Sequence, residues 1–153
     1  MRLDRIDFDI LRVLQEDARI ANKELAARVG VAPSTCLERV RRLVRGGAIR
    51  GYRTEVDPRV LGIGLQAMMA IRLLQHARVS FEKLERELLA LPEVVSVYLL
   101  TGAQDLLVHV AVRDVEHLRD LLQQMTARGD VAHVETSLVF EVARAQTLPN
   151  YCE

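Results

Sequence analysis

The spacing of apolar residues changes partway along the chain, and this change limits the possible folds more than any other feature. Up to about residue 45, apolar residues recur every three or four positions, as they do along one face of a helix. From residue 64 onward, apolar and alternating runs that indicate strands are interspersed with two further helical patterns. The 153 residues are enough for one ordinary domain or two small ones. We therefore predict an α+β protein whose first part is helical and whose second part contains a sheet.

The first part is predicted to form three short helices joined by tight links. Apolar residues at helical spacing mark the first helix within residues 3–14. Asn22 is the predicted N-cap of the second helix, which Gly30 ends. Pro33 suits the first position of the third helix, and Gly46 follows its end. Three short helices in this arrangement are typical of a helix-turn-helix unit.

The third helix is predicted to have one apolar and one cationic face. At 100° per residue, one arc collects the apolar side chains of Cys36, Leu37, Val40, Leu43 and Val44. The opposite side collects polar side chains, namely Thr35, Glu38, Arg39 and Arg42, with Ser34, Arg41 and Arg45 at its borders. Residues 33–53 contain six arginines and one acid, a net charge of +5. A helix that enters the major groove of DNA needs such a buried face and such a cationic face.

A solvated face on a purely structural helix would have the same composition, but the preceding short helix and tight turn favour DNA binding. We predict that four side chains contact bases, namely Ser34, Thr35, Glu38 and Arg39. Arg39 can pair with guanine, and Glu38 can accept a hydrogen bond from cytosine. Phosphate contacts are expected from the remaining arginines, namely Arg41, Arg42, Arg45, Arg50 and Arg53.

The charge distribution indicates that the two parts have different partners. The whole chain has 21 basic and 21 acidic residues, which argues against a protein that is basic throughout. Residues 1–60 carry 13 basic and 9 acidic side chains, a net of +4, whereas residues 61–153 carry 8 and 12, a net of −4. Asp57 and Pro58 interrupt the chain between them. We predict a helix-turn-helix domain over residues 1–53, a linker over 54–62 and a second domain over 63–153.

The second domain is predicted to have the order βαββαβ. Strands are expected over residues 64–74, 94–100, 106–112 and 131–142. The apolar density of the first of these leaves a helix there as an alternative. Ser80 and Asp114 are the predicted caps of the two helices, which end near Pro92 and Gly129. This order is that of the split-βαβ, or ferredoxin-like, fold.

Both helices of such a fold cover the same face of the sheet. The side chains that we expect beneath the helices are Val95, Val97, Leu99, Leu106, Val108, Val110 and Val112. The alternate positions of these strands, Tyr98 and Leu107 among them, are too apolar for a face that is exposed to water. We therefore expect two copies of the chain to associate through this second face.

Four short segments together resemble one protein family. They are DRID at residues 4–7, CLERVRRL at residues 36–43, GY at residues 51–52 and TGAQD at residues 101–105. In this order they resemble the Lrp/AsnC family, the feast/famine transcriptional regulators of bacteria and archaea. The resemblance covers nearly the whole chain, and the CLERVRRL segment is most similar to the leucine-responsive branch.

The resemblance implies a winged helix-turn-helix domain followed by a βαββαβ effector-binding domain of the RAM or ACT-like type. It also implies binding to double-stranded DNA, dimers that assemble into octamers, and regulation by an amino acid or a related small molecule, with no other cofactor. In this family the effector lies between dimers, against the loop that joins the second and third strands. The corresponding residues of this chain are Leu100, Thr101, Gly102, Ala103, Gln104 and Asp105, with Thr136 on the fourth strand.

The chemistry of this loop also fits an amino acid. Asp105 can accept a hydrogen bond from the ammonium group, and backbone N–H groups around Gly102 can bind the carboxylate. The alternative is an ordinary hairpin turn in which Asp105 bonds its own backbone.

Two residues depart from the family pattern, one at the start of the third helix and one on the fourth strand. Ala32 stands where Ser or Thr is common, so the cap could move to Ser34, and Val134 replaces a common hydroxyl residue, so the effector of the leucine-responsive branch does not carry over.

Other classes of function find less support in the sequence. The four histidines and two cysteines lack metal-ligand spacing, and His109 fits an interface or a core better than a metal site. No catalytic or nucleotide-binding motif appears, so we predict no enzymatic activity. We expect no signal peptide and no membrane span, as in a cytoplasmic protein. Two alternatives stay open: an architectural DNA-binding protein without an effector, and a small-molecule-sensing regulatory subunit of a metabolic enzyme.

Overall fold

The structure divides into two compact units. The computed structural model describes residues 2–74 and 81–152, so the predicted cap Ser80 lies outside the described residues. One unit consists of Met1–Glu55 together with Ala143–Glu153, and the other of Val56–Val142. Within the described part of the chain, no helix is long and apolar enough to cross a membrane.

The first unit contains three helices, as predicted. They are α1 (Arg5–Glu16), α2 (Asn22–Val29) and α3 (Pro33–Arg45). Their buried faces form one small core of Ile10, Val13, Leu25, Ala26, Cys36 and Leu43. Burial of one large aliphatic side chain contributes about 1.5–3 kcal/mol, which holds the helices together. Residues 143–153, expected in the second domain, group with this unit, where the Leu148 amide donates a hydrogen bond to Gln15 Oε1 at 2.9 Å.

The ends of these helices are fixed locally, in one case differently from expectation. Asp4 caps α1, since its Oδ1 accepts from the Asp7 amide at 3.0 Å while Asp7 Oδ2 accepts from the Asp4 amide at 3.1 Å. Asn22 is not a cap but the first residue of α2, and its side chain donates to the Pro33 carbonyl at 2.9 Å. Pro33 begins α3 as predicted, without a side-chain cap, so the start does not move to Ser34.

The second unit has the predicted order βαββαβ. Its elements are β1 (Leu65–Leu73), α4 (Phe81–Leu89), β2 (Val94–Leu99), β3 (Leu106–Val112), α5 (Val115–Thr126) and β4 (Val131–Val139), preceded by a 3-10 turn at Pro58–Leu61. The strands form one antiparallel sheet in the order β2-β3-β1-β4. This is the ferredoxin-like order, and the alternative of a helix in place of the first strand is wrong.

The core of this unit lies between one face of the sheet and the two helices. Its buried residues are Ala67, Met69, Ile71, Leu73, Leu84, Leu88, Leu106, Val108, Val110, Val112, Leu118, Leu121 and Met125. All four residues of β3 that were predicted beneath the helices belong to this core. Successive side chains of β1 and β3 point to opposite faces of the sheet, so every second residue of these strands faces the helices.

The edge strand β2 departs from the predicted alternation. Its pairing with β3 shifts between Val94 and Ser96, which marks a β-bulge. The additional residue interrupts the alternation, so Val94 packs against the core and Val95 is 52% exposed. Leu99, at the end of the strand, is 61% exposed. The predicted burial of Val95 and Leu99 is therefore wrong, whereas Val97 packs against the core as predicted.

Candidate DNA-binding face and effector loop

The third helix buries a different arc than its apolar pattern predicts. Cys36 and Leu43 are fully buried, whereas Leu37 and Val44 are exposed. The Arg39 side chain is only 21% exposed. At 100° per residue, the buried arc of α3 is turned by about 40° from the predicted one, toward Arg39. The prediction that Arg39 lies on the outward side is therefore wrong.

An ion-pair cluster joins α1 and α3 on the side toward which the buried arc is turned. Asp7 of α1 is fully buried, and Arg42 Nη2 donates to its two carboxylate oxygens at 2.8 and 2.6 Å. Arg39 Nη1 donates to Asp7 Oδ1 at 2.9 Å and to both carboxylate oxygens of Asp4 at 2.8 Å. Such charge-assisted hydrogen bonds are stronger than neutral ones. They hold the Arg39 and Arg42 side of α3 against α1.

Within the cluster, the ion pair of Asp4 with Arg39 stabilises the charged forms of these two residues. The hydrogen bond from Arg39 lowers the pKa of Asp4, and the hydrogen bond to Asp4 in turn raises the pKa of Arg39. Nearby in the core, burial raises the pKa of the Cys36 thiol. The two guanidinium groups and two carboxylates of the cluster balance one another in formal charge.

The outward face of α3 consists of exposed polar side chains. Opposite the buried arc lie Ser34, Glu38, Arg41 and Arg45, with Thr35 beside them. Arg45 Nη2 and Glu38 Oε1 form an exposed ion pair at 3.0 Å, which contributes at most about 1 kcal/mol and can exchange for other partners. Arg50 and Arg53 follow in residues 50–57, a mostly exposed segment without regular secondary structure. Seven of the nine predicted DNA contacts are therefore exposed and outside the cluster.

The loop between β2 and β3 is held by backbone hydrogen bonds. The Leu100 amide donates to the Asp105 carbonyl at 2.8 Å. Gly102 has a φ of +111°, a conformation in which an L side chain would be strained. The Asp105 amide donates to the Ile71 carbonyl at 2.9 Å, and Asp105 Oδ2 accepts from the Leu73 amide at 2.8 Å. Asp105 thereby anchors the loop to the neighbouring strand β1.

Three buried polar atoms of the second unit have no hydrogen-bond partner among the residues that the structure describes. They are Ser96 Oγ, Gln104 Oε1 and Thr136 Oγ1. Thr136 pairs with Met69, so it lies on the helix-covered face of β4. Strand spacings place its Cα about 14 Å from that of Asp105. A single copy of the chain thus keeps Thr136 apart from the loop.

The second unit also has a cleft that lies away from the predicted effector loop. A cleft of about 350 Å³ lies in the second unit beside the 3-10 turn and the start of α5. It contains a His117 Nε2–Glu93 Oε1 contact of 3.0 Å and no predicted effector residue. Among the described residues, no group of His, Cys, Asp or Glu could hold a metal ion. His109 is buried, with its Nε2 at 2.8 Å from Gln66 Oε1.

Comparison with known proteins covers both units. Residues 3–50 match the family model of winged helix-turn-helix DNA-binding domains, and residues 66–148 match that of the Lrp/AsnC ligand binding domain. The chain is 47% identical over 143 residues to the HTH-type transcriptional regulator AldR of Mycolicibacterium smegmatis, a match that covers 93% of this chain and 84% of AldR. It is 41% identical over 126 residues to the leucine-responsive regulatory protein of Escherichia coli K12, which covers 82% of this chain and 77% of that protein.

A solved structure has the same fold over nearly the whole chain. It is the transcriptional regulator NMB0573 from Neisseria meningitidis in complex with L-Met, with a TM-score of 0.86, 32% sequence identity and 97% of each chain covered. The resemblance predicted from the sequence is thus confirmed. This chain belongs to the Lrp/AsnC family of transcriptional regulators, with an N-terminal helix-turn-helix DNA-binding domain and a C-terminal ligand-binding domain.

Proposed function

We propose that the chain regulates transcription by binding specific DNA sequences and that an amino acid or related small molecule modulates this activity. The observation that supports DNA binding most directly is the exposed cationic face of α3, a helix that ion pairs connect to α1. The named relatives are transcriptional regulators, which supports a regulatory rather than an enzymatic role. Such a role places the protein in the cytoplasm, with the chromosome.

The proposed DNA contacts come from the outward face of α3 and the segment after it. Base contacts are assigned to Ser34, Thr35 and Glu38. Phosphate contacts are assigned to Arg41, Arg45, Arg50 and Arg53. Arg39 and Arg42, which the sequence also nominated, are engaged by Asp4 and Asp7, and their proposed role is to hold α3 against α1.

The salt dependence of DNA affinity tests this proposal. With four phosphate contacts per copy, a dimer should give a slope of about −7 in a plot of log affinity against log salt concentration. The measurement is fluorescence anisotropy with duplex DNA from upstream of the chain's own coding sequence. A flat slope would contradict DNA binding.

A matched pair of variants locates the contacts. Arg45→Gln should reduce the magnitude of the slope by about 0.9 per copy, because one phosphate contact is lost. Arg12→Gln is the control, since Arg12 is an exposed residue of α1 that pairs with Glu16 at 3.2 Å and is assigned no DNA contact. Equal slopes for the two variants would remove Arg45 from the interface.

We further propose that an amino acid binds against the β2–β3 loop, where a second copy of the chain completes the site. Gln104 Oε1 and Thr136 Oγ1 support this proposal, since both lack a partner among the described residues. Asp105 contributes a carboxylate, a group that accepts hydrogen bonds from an ammonium group. The other proposed contacts come from Leu100, Thr101, Gly102 and Ala103. The relative from Neisseria meningitidis was solved as an L-Met complex, which favours this class of ligand.

Thermal unfolding in the presence of each of the twenty amino acids tests the effector proposal. At least one should raise the melting temperature of the unmodified protein, because a ligand that binds only the folded state stabilises it. Thr136→Val should lose this rise, whereas Ser137→Ala, its neighbour on the opposite face of β4, should keep it. A rise with none of the twenty would favour an architectural DNA-binding protein without an amino-acid effector.

We also propose that two copies associate through the open face of the sheet and that dimers assemble further, as far as octamers. Tyr98 and Leu107 pair across β2 and β3 on this face, Ala70 pairs with Leu107 from β1, and Tyr98 is half exposed. Light scattering after gel filtration should give at least a dimer. Leu107→Glu should dissociate it, and Leu89→Glu on α4 should not. A monomer at micromolar concentration would contradict the proposal.

A further inference from the structure

Asp7 is a buried acid within the apolar stripe of α1. Its spacing of four residues from Leu3 and three from Ile10 places it on the core side of the helix, and its side chain is fully buried. An isolated buried carboxylate is strongly unfavourable, because it loses its hydration. Its partners must therefore compensate both its charge and its hydrogen-bonding capacity.

The partners of Asp7 use the full capacity of its carboxylate. Oδ1 accepts from Arg39 Nη1 at 2.9 Å and from Arg42 Nη2 at 2.8 Å. Oδ2 accepts from Arg42 Nη2 at 2.6 Å and from the Asp4 amide at 3.1 Å. A carboxylate has about four acceptor sites, so this one is saturated. Arg39 and Arg42 lie one turn apart on α3. Their two ion pairs with Asp7 therefore restrict both the rotation of α3 and its position along its own axis relative to α1.

We propose that Asp7 is the positioning residue of the DNA-binding face. By binding Arg39 and Arg42, it sets the rotation of α3 and withholds both guanidinium groups from DNA phosphates. The face that remains outward is that of Ser34, Glu38, Arg41 and Arg45. This inference rests on the DNA-binding role of α3 proposed above and adds what determines which side of the helix meets the DNA.

The ion pairs of the cluster reduce the positive charge that residues 33–53 can offer to DNA. Residues 33–53 have a formal net charge of +5, but Asp4 and Asp7 neutralise two of their six arginines. The charge left for DNA is then about +3, and fewer counterions are released than the sequence alone predicts. Loss of Asp7 should therefore make DNA binding more dependent on salt and, at the same time, less selective.

Three variants test this consequence: Asp7→Asn, Arg42→Gln and the double variant. Asp7→Asn keeps the side-chain volume but replaces an acceptor with a donor opposite the guanidinium groups. It should steepen the salt slope by about one to two per copy, as Arg39 and Arg42 become available to phosphates. It should also lower the ratio of specific to non-specific affinity by about tenfold, because α3 is no longer fixed in rotation.

The arginine variants separate positioning from simple destabilisation. Arg42→Gln alone should leave the salt slope of the unmodified protein unchanged, since Arg42 contacts no phosphate while Asp7 holds it. In the Asp7→Asn background the same substitution should reduce the slope by about one per copy, since Arg42 is then released. A domain that is merely less stable would bind all DNA more weakly without this dependence on background. A slope that falls with Arg42→Gln in the presence of Asp7 would overturn the proposal.

Two controls distinguish the proposed role of Asp7 from a general effect of charge or of folding. Asp9→Asn makes the same charge change on the same helix and should leave the specificity ratio unchanged; an equal loss of specificity would overturn the proposal. If circular dichroism shows that Asp7→Asn does not fold, the folded variants Arg39→Gln and Arg42→Gln decide the matter. An unchanged slope supports positioning, and a decrease of about one per arginine and copy overturns it. A flat slope for the unmodified protein would instead contradict the proposed DNA binding itself.

Discussion

The two units differ in how their buried polar groups find partners. In the first unit, Asp7 is saturated by Arg39, Arg42 and the Asp4 amide, all from the same chain. In the second unit, Gln104 Oε1 and Thr136 Oγ1 are buried without a partner among the described residues. Buried polar atoms in native proteins nearly always have partners, so an unpartnered one marks a place where another molecule supplies it. We infer that the DNA-binding face is complete in one copy and that the effector site is completed by assembly or ligand.

The largest expected effect comes from breaking the saturated cluster. Asp7→Ala should lower the free energy of unfolding of the first unit by about 3 kcal/mol, because Arg42 loses its carboxylate partner and Arg39 keeps only Asp4. This loss is at the low end of the range for buried ion pairs, because the Arg42 side chain is 45% exposed. Urea unfolding followed by circular dichroism measures it. Asp9→Ala, the control, should cost less than about 0.5 kcal/mol, and equal costs would show that the cluster is not structural.

A second prediction concerns the bulge in β2. Val97→Ala should destabilise the second unit by about 1.5 kcal/mol, since it removes two methyl groups from a side chain packed on the core. Val95→Ala should change stability by less than about 0.5 kcal/mol, because Val95 is exposed. The same urea experiment compares the two. If Val95→Ala cost more than Val97→Ala, the assigned register of β2 would be incorrect.

These two cases show what the sequence could predict and what it could not. The order of elements followed from the change of apolar period and from the turn residues between segments, because those signals are local. The bulge did not follow, since Val94 and Val95 are equally apolar and either can face the core. A shift of one residue in a strand is set by pairing with β3, which the pattern of a single strand does not contain.

The rotation of α3 was also missed, but a signal for it was present. When α3 is considered alone, the positive charges of Arg39 and Arg42 predict that both side chains face outward. Asp7, however, lies in the apolar stripe of α1, and a charged residue in such a stripe usually has a buried partner of opposite charge. That observation would have predicted a basic partner for Asp7, although it would not have shown which residue it is or that there are two.

A third prediction concerns the buried hydroxyl group of Thr136 in the second unit. Thr136→Val should leave the stability of the second unit unchanged or raise it by up to about 1 kcal/mol, because it removes a buried hydroxyl group that has no partner among the described residues. Thermal unfolding without amino acids measures this effect. A loss of more than about 1 kcal/mol would mean that the assembled protein already supplies a partner for the hydroxyl group, so that assembly and not the ligand satisfies it.

The smallest expected effect is the acid dependence of stability, to which a different carboxyl group contributes in each unit. The hydrogen bond from Arg39 lowers the pKa of Asp4 in the first unit, and that from Arg128 lowers the pKa of Glu87 in the second. A carboxyl group with a lowered pKa stabilises the fold above its unfolded pKa of about 4, and this contribution is lost as the pH falls through the folded value. Both units should therefore be insensitive to these groups at neutral pH and lose stability on the acid side.

Two substitutions assign this acid dependence to its sources. Asp4→Asn should weaken the acid dependence of the first unit alone, and Glu87→Gln that of the second alone. Amide signals in two-dimensional NMR spectra, followed during unfolding between about pH 2.5 and 6, report the units separately. Both changes should be small, since exposed ion pairs contribute little. If Asp4→Asn left the acid dependence of the first unit unchanged, the exposed half of the cluster would contribute nothing, and the position of α3 would depend on Asp7 alone.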